Sequence, residues 1–252
     1  MNGDFLALLP KTAFPQFQAS DSAPVPLQAT TVFAFHCAEG VVIAGDHRAT
    51  AGNIVFSDKT EKILELDSHS LMAIAGVPAT AFEMARTLQT TFEYYRRSQL
   101  QPMSLPAKTR ALSKLLRDNL PATIQGYGIV SPIFAGVEIA DPDARPVIYF
   151  YDPIGAQFEA AAYAGSGSGS GSIKSVLYHL EKWGQPKPAE MPLAQAATLA
   201  NRLLMTAAEF DTATGGVHPD RHLFATIKLV SREGIRSVSQ EEQEQFWKET
   251  TQ

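Results

Sequence analysis

Apolar and polar positions alternate in short runs over the first part of the chain after residue 30. These runs predict strands at 32–36, 41–45, 54–56, 63–66 and 71–75. Each run is short and is bounded by Gly, Asn, Asp or Ser, which is typical of antiparallel hairpins.

The spacing then changes to steps of three and four residues, which is typical of one face of a helix. Phe82, Ala85, Leu88, Phe92 and Tyr95 follow this rule. The same spacing predicts further helices at 105–120, 173–183, 193–207 and from 240 onward. Short apolar runs predict further strands at 133–139, 147–151, 157–163, 223–230 and 235–238.

The predicted order is therefore strands, two helices, strands, two helices and strands. Helices segregated from antiparallel strands indicate an α+β protein. The arrangement that uses every element is a four-layer αββα sandwich of two mainly antiparallel sheets flanked by helix pairs.

The first 29 residues have a different composition. They contain four prolines and show no sustained period, which predicts an extended or disordered leader, residues 1–29, before a single domain of residues 30–252. The apolar run from Phe5 to Leu9 is too short for a secretory signal and follows Asp4 rather than basic residues.

Composition narrows the class of protein. Of the 252 residues 26 are acidic and 21 basic, a formal charge of -5, so no broad basic field predicts nucleic acid as a partner. No apolar run approaches the ~20 residues that span a bilayer. The lone cysteine, Cys37, excludes an internal disulfide and fits a reducing cytosol, and we expect its thiol to be packed and inert. The six histidines show no metal-type spacing, so we expect neither metal nor cofactor.

Thr30 is the candidate nucleophile, because a threonine pair stands immediately before the first apolar strand. A threonine hydroxyl is a weak nucleophile without an adjacent base, and the nearest base is the α-amino group of the same residue. This chemistry requires Thr30 to become the first residue, so residues 1–29 would be a removable propeptide.

Further polar positions lie at the ends of the predicted strands: Asp46, Lys62 and Gly76, then Gly167–Ser170 and the run from Asp211 to Gly216. Taken singly, these could be a turn aspartate, a surface lysine, a turn glycine and a flexible linker. The Gly/Ser run could also cradle a phosphate at a helix start, although no Gly-Lys-Ser/Thr follows it as in a P-loop.

Together and in order, these motifs resemble a catalytic β subunit of the proteasome family, among the N-terminal nucleophile hydrolases, from Thr30 to about Val238. The matching segments are Thr30-Thr31-Val32, Gly40 to Asn53, Glu61-Lys62-Ile63, Ile74-Ala75-Gly76, Gly167-Ser168-Gly169-Ser170 and Asp211-x-x-Thr214-Gly215-Gly216. The resemblance is greatest to bacterial proteasome-type subunits, including the shorter ring proteases that pair with an unfoldase.

The resemblance implies a role for each motif residue. Thr30 would supply the hydroxyl and, once freed, the α-amine. Lys62 would favour loss of the hydroxyl proton electrostatically, and Asp46 would keep Lys62 charged and oriented. The Gly76 amide would donate to the oxyanion. Three further residues would surround the amino end of Thr30: Ser168, Asp211 and Thr214.

The resemblance also implies a substrate pocket and an assembly. The positions that match the pocket are small or apolar, which predicts cleavage after apolar residues: Ala49, Thr60, Leu64, Ile74, Pro78 and Phe82. We expect a cytoplasmic homo-oligomeric double ring, sevenfold by family resemblance, that takes unfolded polypeptides and works with an ATP-dependent unfoldase or a second ring.

Two features leave alternatives open. Ala29 stands where self-cleaving members of the family generally have glycine, so a processing-deficient, latent or non-proteolytic ring of the same fold remains an alternative. An amidase acting on a small molecule would share the fold and the chemistry. Within the Gly/Ser run, Ser166, Ser168 and Ser170 could each occupy the motif; the spacing to Tyr163 and Lys174 selects Ser168.

Overall fold

The structure is a computed structural model that describes residues 30–51 and 54–251. The predicted leader, residues 1–29, lies outside the described residues. The strands are β1 (Thr31–Cys37), β2 (Gly40–Gly45), β3 (Ala49–Ala51), β4 (Ile54–Ser57), β5 (Ile63–Asp67), β6 (Ser70–Ala73), β7 (Ile133–Gly136), β8 (Val147–Tyr151), β9 (Gln157–Ala160), β10 (Tyr163–Gly167), β11 (Thr226–Ser231) and β12 (Gly234–Val238). The α-helices are α1 (Pro78–Gln99), α2 (Leu105–Asp118), α3 (Leu120–Ile124), α4 (Ser170–Trp183), α5 (Leu193–Phe210) and α6 (Gln240–Thr251).

Two five-stranded antiparallel sheets form the centre of the molecule. The first has the strand order β10-β1-β2-β11-β12, and the second has the order β5-β6-β7-β8-β9. The short strands β3 and β4, which follow β2 and precede β5 along the chain, form a separate two-stranded antiparallel ribbon.

Strand β1 shows how the layers stack, because successive side chains point to opposite faces of a sheet. Phe33 and Phe35 pack with α4 and α5 in one apolar cluster. Val32 and Ala34 pack between the two sheets in a second cluster. A third cluster lies between the second sheet and helices α1 and α2. The predicted αββα sandwich is therefore confirmed.

The predicted strand at 157–163 is two strands on different sheets. β9 closes the edge of the second sheet, and β10 pairs with β1 at the edge of the first. Alternation of apolar residues identifies extended backbone but not the sheet that it joins, so the crossing at residues 161–162 was invisible in the sequence. This crossing brings Gly167 opposite Thr31.

Other differences concern element boundaries. The predicted helix at 105–120 ends at Asp118, and a short helix follows whose second residue, Pro121, cannot continue a helical hydrogen-bond ladder. Strands β7 and β11 are shorter than predicted, and β3 was not predicted. The predicted C-terminal helix is present as α6, and it is partly buried, because Gln243 lies in the interior and accepts a hydrogen bond from Asn201.

None of the helices in the described part of the chain is both long enough and apolar enough to cross a membrane.

Candidate active site

Asp46 is the centre of the buried polar network, and its carboxylate accepts four hydrogen bonds. Oδ1 accepts from the Thr31 amide at 3.0 Å and from Lys62 Nζ at 2.7 Å. Oδ2 accepts from the amides of Arg48 at 3.0 Å and Gly215 at 2.8 Å. The residue is 2% exposed, so these donors replace the water that a carboxylate otherwise requires.

Lys62 lies at the start of the second sheet with 1% of its surface exposed. Its ammonium group donates to Asp46 Oδ1 and to the Arg48 carbonyl oxygen. Burial lowers the pKa of Lys62, and the attraction of Asp46 opposes this effect without overcoming it. Burial and Asp46 thus act on the Lys62 pKa in opposite directions, and burial has the larger effect.

Thr30 is buried and directly precedes β1. Because Asp46 Oδ1 is shared by the Thr31 amide and Lys62 Nζ, Lys62 lies beside the peptide that joins Thr30 to Thr31. On the other side, Gly167 has a φ of 96°, and a Cβ at this position would lie 1.6 Å from the Thr30 carbonyl oxygen. The close approach of these two backbones therefore requires glycine at 167.

A chain of hydroxyl groups links the start of β1 to the segment after α5. The Gly169 amide donates to Thr31 Oγ1 at 3.0 Å, and the hydroxyls of Thr31 and Thr214 lie 2.6 Å apart. Thr214 and Ser168 both donate to Asp211 Oδ2 at 2.6 Å. Since the Thr214 proton is directed at Asp211, Thr31 is the donor to Thr214. Each of the three hydroxyl groups, those of Thr31, Thr214 and Ser168, therefore donates a hydrogen bond.

Asp211 accepts these bonds as a carboxylate. Partial burial raises its pKa, but the hydrogen bonds from Ser168, Thr214 and the Ala213 amide, together with the charge of Lys62, lower it by more, so the net shift is downward. Of the three candidate serines, Ser168 is the one that contacts Asp211, whereas Ser166 donates to the Ser131 carbonyl and Ser170 to the Gly167 carbonyl.

Gly76 lies between β6 and α1 with a φ of 112°. A Cβ here would lie 2.1 Å from the Ile129 carbonyl oxygen, so this position also requires glycine. The preceding segment is tied to the ion pair, since the Ile74 amide donates to the Lys62 carbonyl at 2.9 Å. The contacts that hold Gly76 itself are made with residues 129 and 130.

Comparison with known proteins identifies the family. The family model for proteasome subunits matches residues 27–218. The chain belongs to the proteasome subunit family. It is 36% identical to "Proteasome subunit beta 2" of Thermomonospora curvata over 94% of this chain and 84% of that protein. It is also 36% identical to "Proteasome subunit beta" of Stackebrandtia nassauensis, over 92% and 80%, and 34% identical to that of Acidimicrobium ferrooxidans, over 93% and 84%.

The positions predicted to form a substrate pocket fall into two groups in this proteasome-family chain. Leu64, Ile74 and Phe82 meet in the apolar cluster beneath α1, and Pro78 is the first residue of that helix. Ala49 begins β3, and the Thr60 amide donates to the His47 carbonyl at 3.0 Å. Ala49 and Thr60 therefore lie at the two ends of the segment that carries the β3–β4 ribbon.

The network also includes side chains that are not among the predicted site residues, notably Thr31 and Arg48. Thr31 belongs to the motif that marks the start of the domain, and its hydroxyl and amide are both hydrogen-bonded within the site. Arg48 belongs to the motif from Gly40 to Asn53, and its amide, carbonyl and side chain all make contacts in the site. The threonine pair and the Asp-x-Arg spacing were the available signals, and neither specifies a hydrogen-bond partner.

Cys37 lies at the opposite end of β1 from Thr30 and is buried. Burial raises the pKa of its thiol to about 11, which makes it a poor nucleophile at neutral pH. Among the described residues, no three His, Cys, Asp or Glu side chains come together as metal ligands would.

Proposed function

We propose that the chain is a threonine-type endopeptidase subunit of a self-compartmentalising ring protease, active once residues 1–29 are removed. Membership of the proteasome family supports this proposal, as do the relatives named as proteasome beta subunits. The observation that carries it is the Asp46–Lys62 ion pair, buried against the peptide that follows Thr30.

In the proposed reaction, the Thr30 hydroxyl attacks the scissile carbonyl and its proton passes to the freed α-amine. The C–N bond then breaks, the proton goes to the leaving amine, and an ester to Thr30 remains, which water hydrolyses to regenerate the hydroxyl. A free α-amine has a pKa near 7.7, so it is an effective base at neutral pH. While Ala29 is attached, this nitrogen is an amide and cannot accept the proton.

The remaining residues prepare this step. The Lys62 ammonium stabilises negative charge developing on the Thr30 oxygen, and Asp46 holds the ammonium in place. The Gly76 amide donates to the oxyanion, a contact typically worth roughly 3 kcal/mol of barrier. The chain of Ser168, Asp211 and Thr214 fixes the start of β1, and so the position of Thr30.

The proposal extends to the assembly and its substrates. Small and apolar positions at 49, 60, 64, 74, 78 and 82 favour cleavage after apolar residues. We propose a cytoplasmic, homo-oligomeric double ring with sevenfold symmetry that degrades unfolded polypeptides delivered by an ATP-dependent unfoldase or through a second ring.

The second candidate is a latent ring of the same fold, and Ala29 is the feature that favours it. Glycine before the nucleophile reaches backbone conformations that alanine disfavours. Alanine at this position would therefore slow or prevent self-cleavage.

Intact mass with N-terminal sequencing tests the proposal on the wild-type chain, Thr30→Ala, and Thr91→Ala, an exposed helical threonine, as the control. We expect the wild type and the control to begin at Thr30 and to be labelled there by a threonine-directed electrophile, and Thr30→Ala to begin at Met1. A wild type that keeps residues 1–29 and is not labelled would contradict the proposal, and recovery in Ala29→Gly would assign the failure to Ala29.

A further inference from the structure

Arg48 joins three segments that surround Lys62. Its amide donates to Asp46 Oδ2, and its carbonyl accepts from Lys62 Nζ. Its side chain donates from Nη1 to the Thr212 carbonyl at 3.3 Å and from Nε to Asp58 Oδ1 at 2.9 Å. The position of the Arg48 backbone therefore depends partly on what holds its guanidinium group.

Asp58 holds that group from the segment after β4. The Arg48 and Asp58 side chains are 26% and 54% exposed, so the ion pair lies at the edge of the site, open to solvent on one side. A second tie runs parallel to it, because the Thr60 amide donates to the His47 carbonyl. The segment 58–60, which includes a proposed pocket residue, is thus fastened twice to the turn that follows Asp46.

The two charges act on Lys62 in opposite directions. The positive charge of Arg48 lowers the pKa of Lys62, whereas the negative charge of Asp58 raises it, and both effects are smaller than those of burial and of Asp46. Lys62 also acts on Asp211, whose pKa it lowers. An unpaired Arg48 would add to the cost of keeping an ammonium group buried at this position.

We propose that Asp58 is a positioning residue for the peptidase reaction: it holds the Arg48 side chain, so that the Arg48 carbonyl stays hydrogen-bonded to Lys62, and it offsets the Arg48 charge at that site. This inference rests on the proposed function. Asp58 acts through Arg48 rather than on substrate. A pair this exposed contributes little to global stability, so its effect on the reaction can be measured in a chain that folds normally.

The test is the pH profile of kcat/KM for Asp58→Asn and Asp58→Glu. The matched control is Asp118→Asn, which removes a carboxylate of similar exposure, 56%, from an ion pair with Lys114 on α2. The reaction needs a neutral α-amine and a charged Lys62, so the alkaline limb of the profile reports Lys62. We expect Asp58→Asn to move this limb to lower pH and to reduce kcat/KM at pH 8 by about 2- to 5-fold, the range for a partly exposed pair.

Asp58→Glu should restore the alkaline limb, and Asp118→Asn should match the wild type. An Asp58→Asn profile identical to that of the wild type, or an equal shift in the control, would overturn the inference. A loss of rate at all pH values without displacement of the limb would also overturn it, since a general structural defect has that signature.

A second measurement separates this inference from the peptidase proposal. In chains that carry Thr30→Ala, the titration of Lys62 is followed by NMR of ¹⁵N-labelled lysine, with Lys62→Met to assign the signal. A lower Lys62 pKa in the Asp58→Asn background supports the inference even if the wild type proves inactive, and an unchanged pKa refutes it. An inactive wild type by itself contradicts the peptidase proposal.

Discussion

The hydroxyl oxygens of Thr31 and Thr214 lie 2.6 Å apart in the buried interior, although 183 residues separate them along the chain. Thr31 donates to Thr214, and Thr214 donates in turn to Asp211. This contact ties the first residue of β1 to the segment after α5. The position of Thr30, which directly precedes β1, therefore depends on the packing of the segment after α5.

Replacing Thr31 by valine removes the hydroxyl and keeps the shape of the side chain. The Gly169 amide loses its acceptor and Thr214 loses its donor, so we expect the free energy of unfolding to fall by about 1–3 kcal/mol. The control is Thr109→Val, because the Thr109 hydroxyl is also buried but bonds within its own helix. Urea denaturation at one protein concentration measures both; equal losses would contradict the prediction.

Replacing Gly167 by alanine places a methyl group on the Thr30 carbonyl and forces an L-residue to a φ of 96°. We expect this variant to lose the pairing of β10 with the start of β1, with a lower melting temperature and no labelling of Thr30. Gly171→Ala is the matched control, because its Cβ meets nothing within 4 Å and lies in α4. The control should be neutral or up to about 1 kcal/mol more stable. A Gly167→Ala chain that behaves like the control would show that the close approach is not required.

The two partners of the buried ion pair should differ in their contribution to stability. Lys62→Met leaves Asp46 with three backbone donors, from residues 31, 48 and 215. Asp46→Asn replaces one acceptor oxygen by an amide nitrogen, which cannot accept a hydrogen bond, and it removes the negative charge that balances the buried Lys62 ammonium. We expect Asp46→Asn to cost about 3–5 kcal/mol and Lys62→Met less. Denaturation curves measure both, and the reverse order would show that the lysine is the more important partner.

Asp211 should make stability depend on pH in the acid range. The bonds from Ser168 and Thr214 lower its pKa in the folded chain. Its contribution is therefore fully present above the ordinary aspartate pKa of about 3.9 and is lost as the pH falls through the lower, folded value. The stability gap between the wild type and Asp211→Asn should be constant from pH 7 to 5 and shrink below about pH 4. A gap that widens on acidification would mean that the folded state favours protonated Asp211.

The sequence by itself determined the layered architecture and the order of its elements. Its periods of two and about 3.6 residues report which side chains are buried, and burial in an αββα sandwich follows those periods closely. Ordered motifs were also sufficient to name the family, which the family model then confirmed. Asp46 and Lys62 could be predicted as partners because both lie in motifs that resemble those of the family.

The tertiary structure decided how the strands are distributed between sheets and which groups contact one another. The transfer of β10 to the first sheet, the Thr31–Thr214 contact and the Arg48–Asp58 pair all join residues that no local period relates. Burial similarly decided the direction of the Lys62 pKa shift. Local sequence patterns report the side of a strand or helix that faces the core, whereas a hydrogen bond or a pKa depends on the atoms that packing brings to within about 3 Å.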